Sequence, residues 1–246
     1  MGWGPLLAEN HRGRRIPRIL WAPLVTSALA ATLLAEGMGR AGPEAWGALA
    51  GLLLTCGAGL VDDLVSAGPR GLRGHLRALA SGRMTTGALK VLVGVGAAVV
   101  VLALEPPRPW WTRLAGVVLV PACANLWNGL DVRPGRALKA FLPVGAWFLL
   151  MGPVPSFPAG VGVLVGAVLA IGPDLRERAM LGDAGSNPLG FAAGLCLYLG
   201  LPDGGVPVAS AAAVGLNLLA ETVTLSRVID AVPALRALDR LGRLPG

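Results

Sequence analysis

Residues 86–105, TGALKVLVGVGAAVVVLALE, decide the class of fold to which this chain belongs. Between Lys90 and Glu105 the run has no charged residue and contains only Val, Leu, Ala and Gly. An α-helix needs roughly 20 predominantly apolar residues to cross the hydrocarbon core of a bilayer. The stretch therefore predicts a transmembrane helix.

The same signal recurs along the 246 residues, of which 54% are hydrophobic and only 14% are charged. Soluble domains carry about 25% charged residues. We predict eight spans, at residues 18–37, 45–62, 86–105, 114–131, 138–152, 158–173, 188–201 and 206–227. The sequence thus predicts an all-α polytopic membrane protein with about eight transmembrane helices, which forms a single membrane domain over residues 1–246 with its transmembrane bundle at 18–227.

The basic residues predict the orientation of these spans. If the N-terminus is cytoplasmic and each span crosses once, all of the 21 Lys and Arg residues lie inside except Arg40, Arg108 and Arg113. Cytoplasmic loops collect Lys and Arg, so this count favours both termini inside. The net charge of +7 is explained in the same way, and we expect no nucleic-acid partner. Residues 228–246 alternate apolar and basic positions at helical spacing, which predicts an amphipathic cytoplasmic tail along the interface.

Three sites with acidic residues on the predicted cytoplasmic side lie at or near helix ends. Asp62-Asp63 closes the second span, and Asp183 lies in the glycine-bearing loop Gly182–Ser186 before the seventh. Asn125, Asn128 and Asp131 close the fourth span at i, i+3, i+6 spacing, which favours one helix face. A single Asp or Asn at a helix end is most often a cap. Three such sites on one side of a membrane favour a functional site instead.

The chemistry of this set suits phosphate and a divalent cation. A glycine loop before a helix suits backbone contact with phosphate oxygens, through groups such as Gly182, Gly185 and Ser186. Mg²⁺ takes one or two carboxylates and keeps phosphate and water ligands. Basic residues would surround the site, and their field suits a polyanionic substrate. They are Arg70, Arg73, Arg77, Lys90, Arg133, Arg136 and Lys139.

Three motifs in order resemble a known family, the polyprenyl-phosphate N-acetylhexosamine-1-phosphate transferases (glycosyltransferase family 4). Residues 59–63, GLVDD, look like its G-x-x-D-D motif, and residues 125–131, NLWNGLD, look like its N-x-x-D-G-x-D motif. Residues 180–190, MLGDAGSNPLG, look like its M-G-D-x-G-S-x-x-L-G motif. The family includes the phospho-N-acetylmuramoyl-pentapeptide transferase and the UDP-N-acetylglucosamine–polyprenyl-phosphate transferases.

The resemblance implies a Mg²⁺-dependent enzyme of a bacterial-type plasma membrane, with its active site facing the cytoplasm. Polyprenyl phosphate would attack the β-phosphate of a UDP-sugar, in cell-envelope glycan synthesis, and release UMP. Asp183 would bind the metal with help from Asp63, while Asp62 and Asp63 would activate or orient the lipid phosphate. The substrate-binding residues implied are Asn125, Asn128, Asp131, Lys90, Gly182, Gly185 and Ser186. The resemblance also implies a homodimer.

The chain departs from the family pattern in several places. Asn128 stands where the family usually has Asp, and Val132 where it usually has Gly, so one charge is lost. Relative to the family, one span is missing at each end and the His-rich loop before the last span is absent. These departures leave an alternative open, a catalytically degenerate relative that binds lipid phosphate or nucleotide as a partner in envelope assembly. A third interpretation, a small-solute transporter, is disfavoured by the lack of internal repeats.

Overall fold

The apolar segments are helices in the computed structural model, which describes residues 6–65, 81–82, 84–151 and 157–244. Arg70, Arg73 and Arg77, expected around the site, lie outside these described residues. The eight long helices are α1 Trp21–Gly37, α2 Pro43–Val65, α3 Thr86–Leu104, α4 Trp110–Leu130, α5 Arg136–Leu150, α6 Pro158–Leu175, α7 Asp183–Gly200 and α8 Gly205–Thr222. They are followed by the short helices α9 Leu225–Ala231 and α10 Pro233–Arg240.

Four helices of the described chain, α2, α3, α6 and α8, are long and apolar enough to cross a membrane. The other four long helices miss these thresholds, and α1 and α5 have only 17 and 15 residues. Large apolar side chains point outward on several of the helices, among them Leu34, Leu150 and Val208, which are 67%, 81% and 69% exposed. Such faces suit lipid better than water. The chain is therefore a mostly helical protein with apolar helices of membrane-spanning length, as the sequence predicts.

Helix α7 lies at the centre of the bundle, and glycines let its neighbours approach it closely. A Cβ atom on Gly190 would lie 2.4 Å from the carbonyl oxygen of Cys123 in α4, and one on Gly194 would lie 2.7 Å from Cα of Val120. Small residues four apart allow this close packing of membrane helices. Because the α7 residues from Ala184 to Cys196 are all buried, the helix holds its N-terminal residue, Asp183, in a fixed place.

The N-terminal segment differs from the all-helical expectation. Residues Leu7–Glu9 (β1) and Arg15–Pro17 (β2) pair as an antiparallel hairpin in which Leu7 lies opposite Pro17. The side chain of Asn10 closes the turn, because its Oδ1 accepts the backbone N–H groups of Arg12 and Arg14 at 2.9 Å. Three-residue strands carry too short an alternation of apolar and polar residues to be predicted from sequence.

The tail is helical as predicted, but it is broken into two pieces. α9 ends at Ala231, and Pro233 begins α10. Proline has no backbone N–H and cannot continue a helix, although it is well suited to the first position of one. The tail folds back onto the bundle, since Nη1 of Arg136 at the start of α5 donates to Oγ of Ser226 at 2.7 Å.

Candidate functional site

The ends of α2, α4 and α6 meet the beginnings of α1, α3 and α7 at one end of the bundle. Helices α2 and α7 approach each other closely there, since a Cβ atom on Gly59 would lie 2.2 Å from the carbonyl oxygen of Asp183. No side chain fits there, so Gly59 is required for the two helices to touch. This contact brings the predicted Asp62-Asp63 pair to the predicted loop around Asp183.

Two of the predicted carboxylates converge on one ammonium group. Lys90 is the fifth residue of α3. Its Nζ lies 2.8 Å from Oδ2 of Asp62 and 2.5 Å from Oδ2 of Asp183. The three side chains are each 21–26% exposed, so the group is open to a ligand from outside. Asp62 and Asp183 together form a site that suits a cation, and the ammonium group of Lys90 occupies that site.

Asp63 has a different environment from its neighbour Asp62. Its Oδ1 lies 3.0 Å from Nη1 of Arg18, and its Oδ2 accepts the backbone N–H of Ala184 at 2.9 Å. Arg18 also donates to the Asp63 carbonyl oxygen at 3.1 Å, and only 3% of the Asp63 side chain is exposed. Adjacent residues of a helix point in different directions. Asp63 therefore joins the segment before α1, the end of α2 and the start of α7, while Asp62 faces Lys90 on the partly exposed side.

The loop before α7 is held by internal hydrogen bonds. Gly182 has a φ of +65°, and a Cβ atom there would lie 2.7 Å from Oδ2 of Asp63. The carbonyl of Gly182 accepts the N–H groups of Gly185 at 3.1 Å and Ser186 at 2.9 Å. The N–H groups expected to bind phosphate are thus bonded to the protein itself. In this arrangement Gly182 and Gly185 shape the loop, and side chains are left to bind a ligand.

Asn128 and Asp131 reach the same loop from the end of α4. Nδ2 of Asn128 donates to Oγ of Ser186 at 3.2 Å. Asp131, which follows the last residue of α4, faces the N–H of Gly182. Asp131 is half-buried, and the carboxylates of Asp174 and Asp183 lie close enough to act on it electrostatically, so negative charge is concentrated at this end of the bundle. This carboxyl therefore stands where further negative charge is disfavoured and a cation is favoured.

Some of the expected site residues face elsewhere. Arg136 and Lys139, expected around the site, instead bind Asp239 and carbonyl oxygens of the tail. Asn125 faces α8. Its Nδ2 donates to Oδ1 of Asn217 in α8 at 2.6 Å, and the residue is exposed. Asn125 lies six residues before Asp131, which corresponds to about 9 Å along a helix. The i, i+3, i+6 spacing keeps Asn128 near the loop but places Asn125 against the neighbouring helix.

Sequence reasoning missed two residues of the site. Arg18 was used only to predict orientation, yet it binds Asp63. Asp174, at the end of α6, is buried and accepts the N–H of Gly135 at 2.7 Å. Arg18 and Asp174 both lie in segments that are predicted to face the cytoplasm. Their location on the same side as the predicted site is the sequence signal that could have identified them.

The described residues contain no group of three or more His, Cys, Asp or Glu side chains placed to hold a metal ion. The carboxylates of Asp62 and Asp183 form a pair, and Mg²⁺ in proteins is usually bound by one or two carboxylates, with water and phosphate as its other ligands. The donor set at this end of the bundle is therefore of the kind that Mg²⁺ uses with a phosphate substrate.

These features define a class of protein, a mostly helical membrane-type protein with a partly exposed group of acidic side chains at one end of its bundle. Comparison with protein-family models, with curated proteins and with solved structures finds no match to this chain.

Proposed function

We propose that this chain is a phosphoglycosyltransferase that transfers a sugar-1-phosphate, of the N-acetylhexosamine type, from a UDP-sugar to polyprenyl phosphate. The observation that carries the proposal is the convergence of Asp62 from α2 and Asp183 from α7 on the Lys90 ammonium group. The two carboxylates share an ammonium group that can swing away, and they are partly exposed, with Asn128 and Ser186 nearby. Such an arrangement suits phosphate chemistry. The motif resemblance supplies the particular reaction that we propose.

In the proposed reaction an oxygen of polyprenyl phosphate attacks the β-phosphorus of the UDP-sugar. A new P–O–P bond forms, the bond between the β-phosphorus and the oxygen bridging to the α-phosphorus breaks, and UMP leaves with that oxygen. The transition state spreads charge over phosphoryl oxygens, so positioning and neutralisation supply most of the catalysis. Mg²⁺, when bound, would supply further neutralisation of the diphosphate.

Asp183 and Asp62 would hold the metal in this proposal. This replaces the expectation from the motif that Asp63 assists Asp183, because both carboxylate oxygens of Asp63 are bonded to Arg18 and to the Ala184 N–H. Lys90 would release the two carboxylates and turn its ammonium group to a phosphate oxygen. Asn128, which bonds Ser186, would orient the nucleotide or sugar.

The proposal includes eight crossings with both termini in the cytoplasm of a bacterial-type plasma membrane. It is supported by the alternation of helix ends at the site, where α2 and α6 end and α3 and α7 begin. It is also supported by the basic residues, which collect in the segments at that end. Val132 lies just after α4 at the same end of the bundle and is 52% exposed, so a cysteine introduced there is accessible to reagent. Labelling of this cysteine from the outside of whole cells would overturn the orientation, whereas labelling only after permeabilisation supports it.

The second candidate is a catalytically degenerate relative that binds lipid phosphate or nucleotide. The observation that favours it is that Lys90 already forms ion pairs with both Asp62 and Asp183, so it occupies the position that a metal would take. Asn128 also lacks the charge of the usual Asp at its position. Such a protein would retain binding without turnover.

A UMP-release assay separates these candidates. Purified protein with polyprenyl phosphate, Mg²⁺ and a panel of UDP-N-acetylhexosamines is expected to release UMP, and Asp183→Ala is expected to abolish the release. Asp230→Ala is the matched control, because Asp230 is an exposed acid on α9. Absence of UMP above the Asp183→Ala background for every donor would sink the enzyme proposal. Mg²⁺-dependent binding of UDP-sugar in that case would support the degenerate relative.

A further inference from the structure

The tail presents a row of unpartnered leucines. Leu235, Leu238 and Leu241 follow one another at three-residue spacing and are 43%, 62% and 66% exposed. Leu235 and Leu238 lie on α10, where residues three apart are neighbours on the helix surface, and Leu241 directly follows the last residue of the helix. We call this row, with the basic residues Arg236 and Arg240 beside it, the C-terminal surface.

The C-terminal surface is fixed in its outward orientation by the residue between these two groups. Asp239 is buried, and Arg136 binds both of its carboxylate oxygens, at 2.8 and 3.0 Å, while Arg243 binds one of them as well. Nζ of Lys139 donates to the carbonyl oxygens of Leu238, Asp239 and Leu241 at 3.0, 2.5 and 3.1 Å. With its polar side bound in this way, α10 cannot rotate to bury its leucines against the bundle.

The charge of the C-terminal surface is positive. Arg236 and Arg240 are exposed and four residues apart, and neither guanidinium group has a hydrogen bond or ion pair to another described residue. The one acid within α10, Asp239, is already bound by Arg136 and Arg243. A row of leucines beside unpaired arginines is complementary to an anionic lipid surface, which offers acyl chains and phosphates.

The tail lies beside the ends of the helices that form the candidate site. A Cβ atom on Gly129, in the last turn of α4, would lie 3.5 Å from Cδ1 of Leu225 at the start of α9. Arg136, which holds Asp239, is the first residue of α5. If α4 and α5 reach across the bilayer, the tail lies where the lipid headgroups are.

We propose that the C-terminal surface docks on the anionic lipid leaflet around the bundle. Leu235, Leu238 and Leu241 enter the boundary between headgroups and acyl chains, and Arg236 and Arg240 contact lipid phosphates. The docking requires no turnover, so it stands or falls independently of the transferase proposal.

The test uses the full chain in vesicles with a fluorescent label on Leu238→Cys. The native Cys56, Cys123 and Cys196 are buried and free, and they are replaced by Ala to leave a single labelling site. Lipids brominated in the acyl chain quench a label in the membrane, and iodide quenches a label in water. A label on Glu9→Cys, exposed in β1, calibrates quenching in water.

In vesicles of phosphatidylcholine with phosphatidylglycerol, we expect brominated lipid to quench the Leu238→Cys label and iodide to have little effect. Each arginine near an anionic surface changes the docking equilibrium about fivefold. Arg236→Gln with Arg240→Gln is therefore expected to shift the ratio of the two quenching signals toward iodide by more than about tenfold, and high salt is expected to act in the same direction. Both changes leave Asp239 and its arginines in place.

Three results would overturn the proposal. The first is iodide quenching at Leu238→Cys equal to that at Glu9→Cys in anionic vesicles, which places the surface in water. The second is equal brominated-lipid quenching in neutral and anionic vesicles, which removes the role of the arginines. The third is protection from both quenchers together with a cross-link between two labelled chains, which identifies a second copy as the partner.

Discussion

Two clusters of charged residues lie at the same end of the bundle and differ in how completely they are paired. Around Asp239 every charge has a partner, since Arg136 and Arg243 bind the carboxylate and Lys139 donates to three carbonyl oxygens. Around Lys90 one ammonium group serves two carboxylates, Asp62 and Asp183, and carboxylates are in excess. The first cluster is sealed, with Arg136 and Asp239 only 5% exposed, and the second is about a quarter exposed.

The difference separates a structural use of charge from one that suits a ligand. A buried pair with all its hydrogen bonds made cannot gain from a further ion, and it fixes the position of the chain. Exposed carboxylates that share one cation can exchange that cation for another, with little reorganisation of the fold. We therefore expect mutations in the two clusters to separate activity from stability.

The largest effect is expected for Asp62→Asn, which keeps the shape of the side chain and removes its charge. Loss of one group that stabilises transition-state charge typically slows an enzyme by about 10²–10³-fold. We expect UMP release to fall by that factor and Tm to change little, because Asp62 is one of two carboxylates competing for Lys90. Asp230→Asn is the control for removal of an exposed acid. Unchanged UMP release in Asp62→Asn would remove Asp62 from the proposed chemistry.

Asp239→Ala is expected to have the opposite profile. It leaves the buried Arg136 guanidinium without its carboxylate, and breaking a buried pair costs about 3–5 kcal/mol. We expect limited proteolysis to cleave the tail faster and Tm to fall, while UDP-sugar binding to protein that remains folded is retained. Retained protease resistance of the tail would show that Asp239 does not anchor it.

The same anchor predicts a pH dependence of the tail. Burial opposes ionisation of Asp239, but the hydrogen bonds and charges of Arg136 and Arg243 outweigh it and lower the pKa of the carboxyl below its ordinary value of 3.8. Because the folded pKa is the lower one, the stabilisation is complete above the unfolded value and is lost as pH falls through the folded value. Protease sensitivity of the tail is thus expected to rise below about pH 4 and to be flat between about pH 5 and 7. A rise already near neutral pH would contradict this assignment.

Gly59→Ala tests whether the carboxylates depend on the contact between α2 and α7. The added methyl group would lie 2.2 Å from the Asp183 carbonyl oxygen and 2.7 Å from the Ala184 nitrogen, so the helices must separate. Overpacking of this kind costs about 1–3 kcal/mol and would move Asp183 away from Asp62. We expect lower Tm and at least tenfold slower UMP release.

Gly57→Ala is the matched control for Gly59→Ala. Gly57 lies two residues earlier in α2 with open space around its Cα, and replacement of a helical Gly by Ala stabilises a helix by up to about 1 kcal/mol. We expect equal or higher Tm and normal UMP release. If Tm and UMP release fell equally in the two variants, any substitution of glycine in α2 would be damaging, and the contact with Asp183 would not be the cause.

The sequence predicted the helices and the grouping of the acids, but not the partners of each acid. Hydrophobic runs and helix-end acids such as Asp62 and Asp183 follow from periodicity and charge, which are local. The separate roles of Asp62 and Asp63 depend on which neighbour α2 faces, and that is set by Gly59 and by Arg18, which lies between the hairpin and α1. Such long-range contacts have no local signature, and neither do the three-residue strands of the hairpin.

The smallest effect is expected for Asn125→Ala, which tests whether the substrate site extends as far as Asn125. Asn125 bonds Asn217 in α8 and has no described contact with the loop before α7. Hydrogen bonds between membrane helices contribute about 0.6 kcal/mol on average. We expect a fall in Tm of a degree or two and a KM for the UDP-sugar within about twofold of the original. Asn128→Ala, which removes the bond to Ser186, is expected to raise that KM more strongly. If Asn125→Ala raised the KM as much as Asn128→Ala, the nucleotide site would extend along α4 toward α8. The substrate site would then be larger than the group of residues around Lys90.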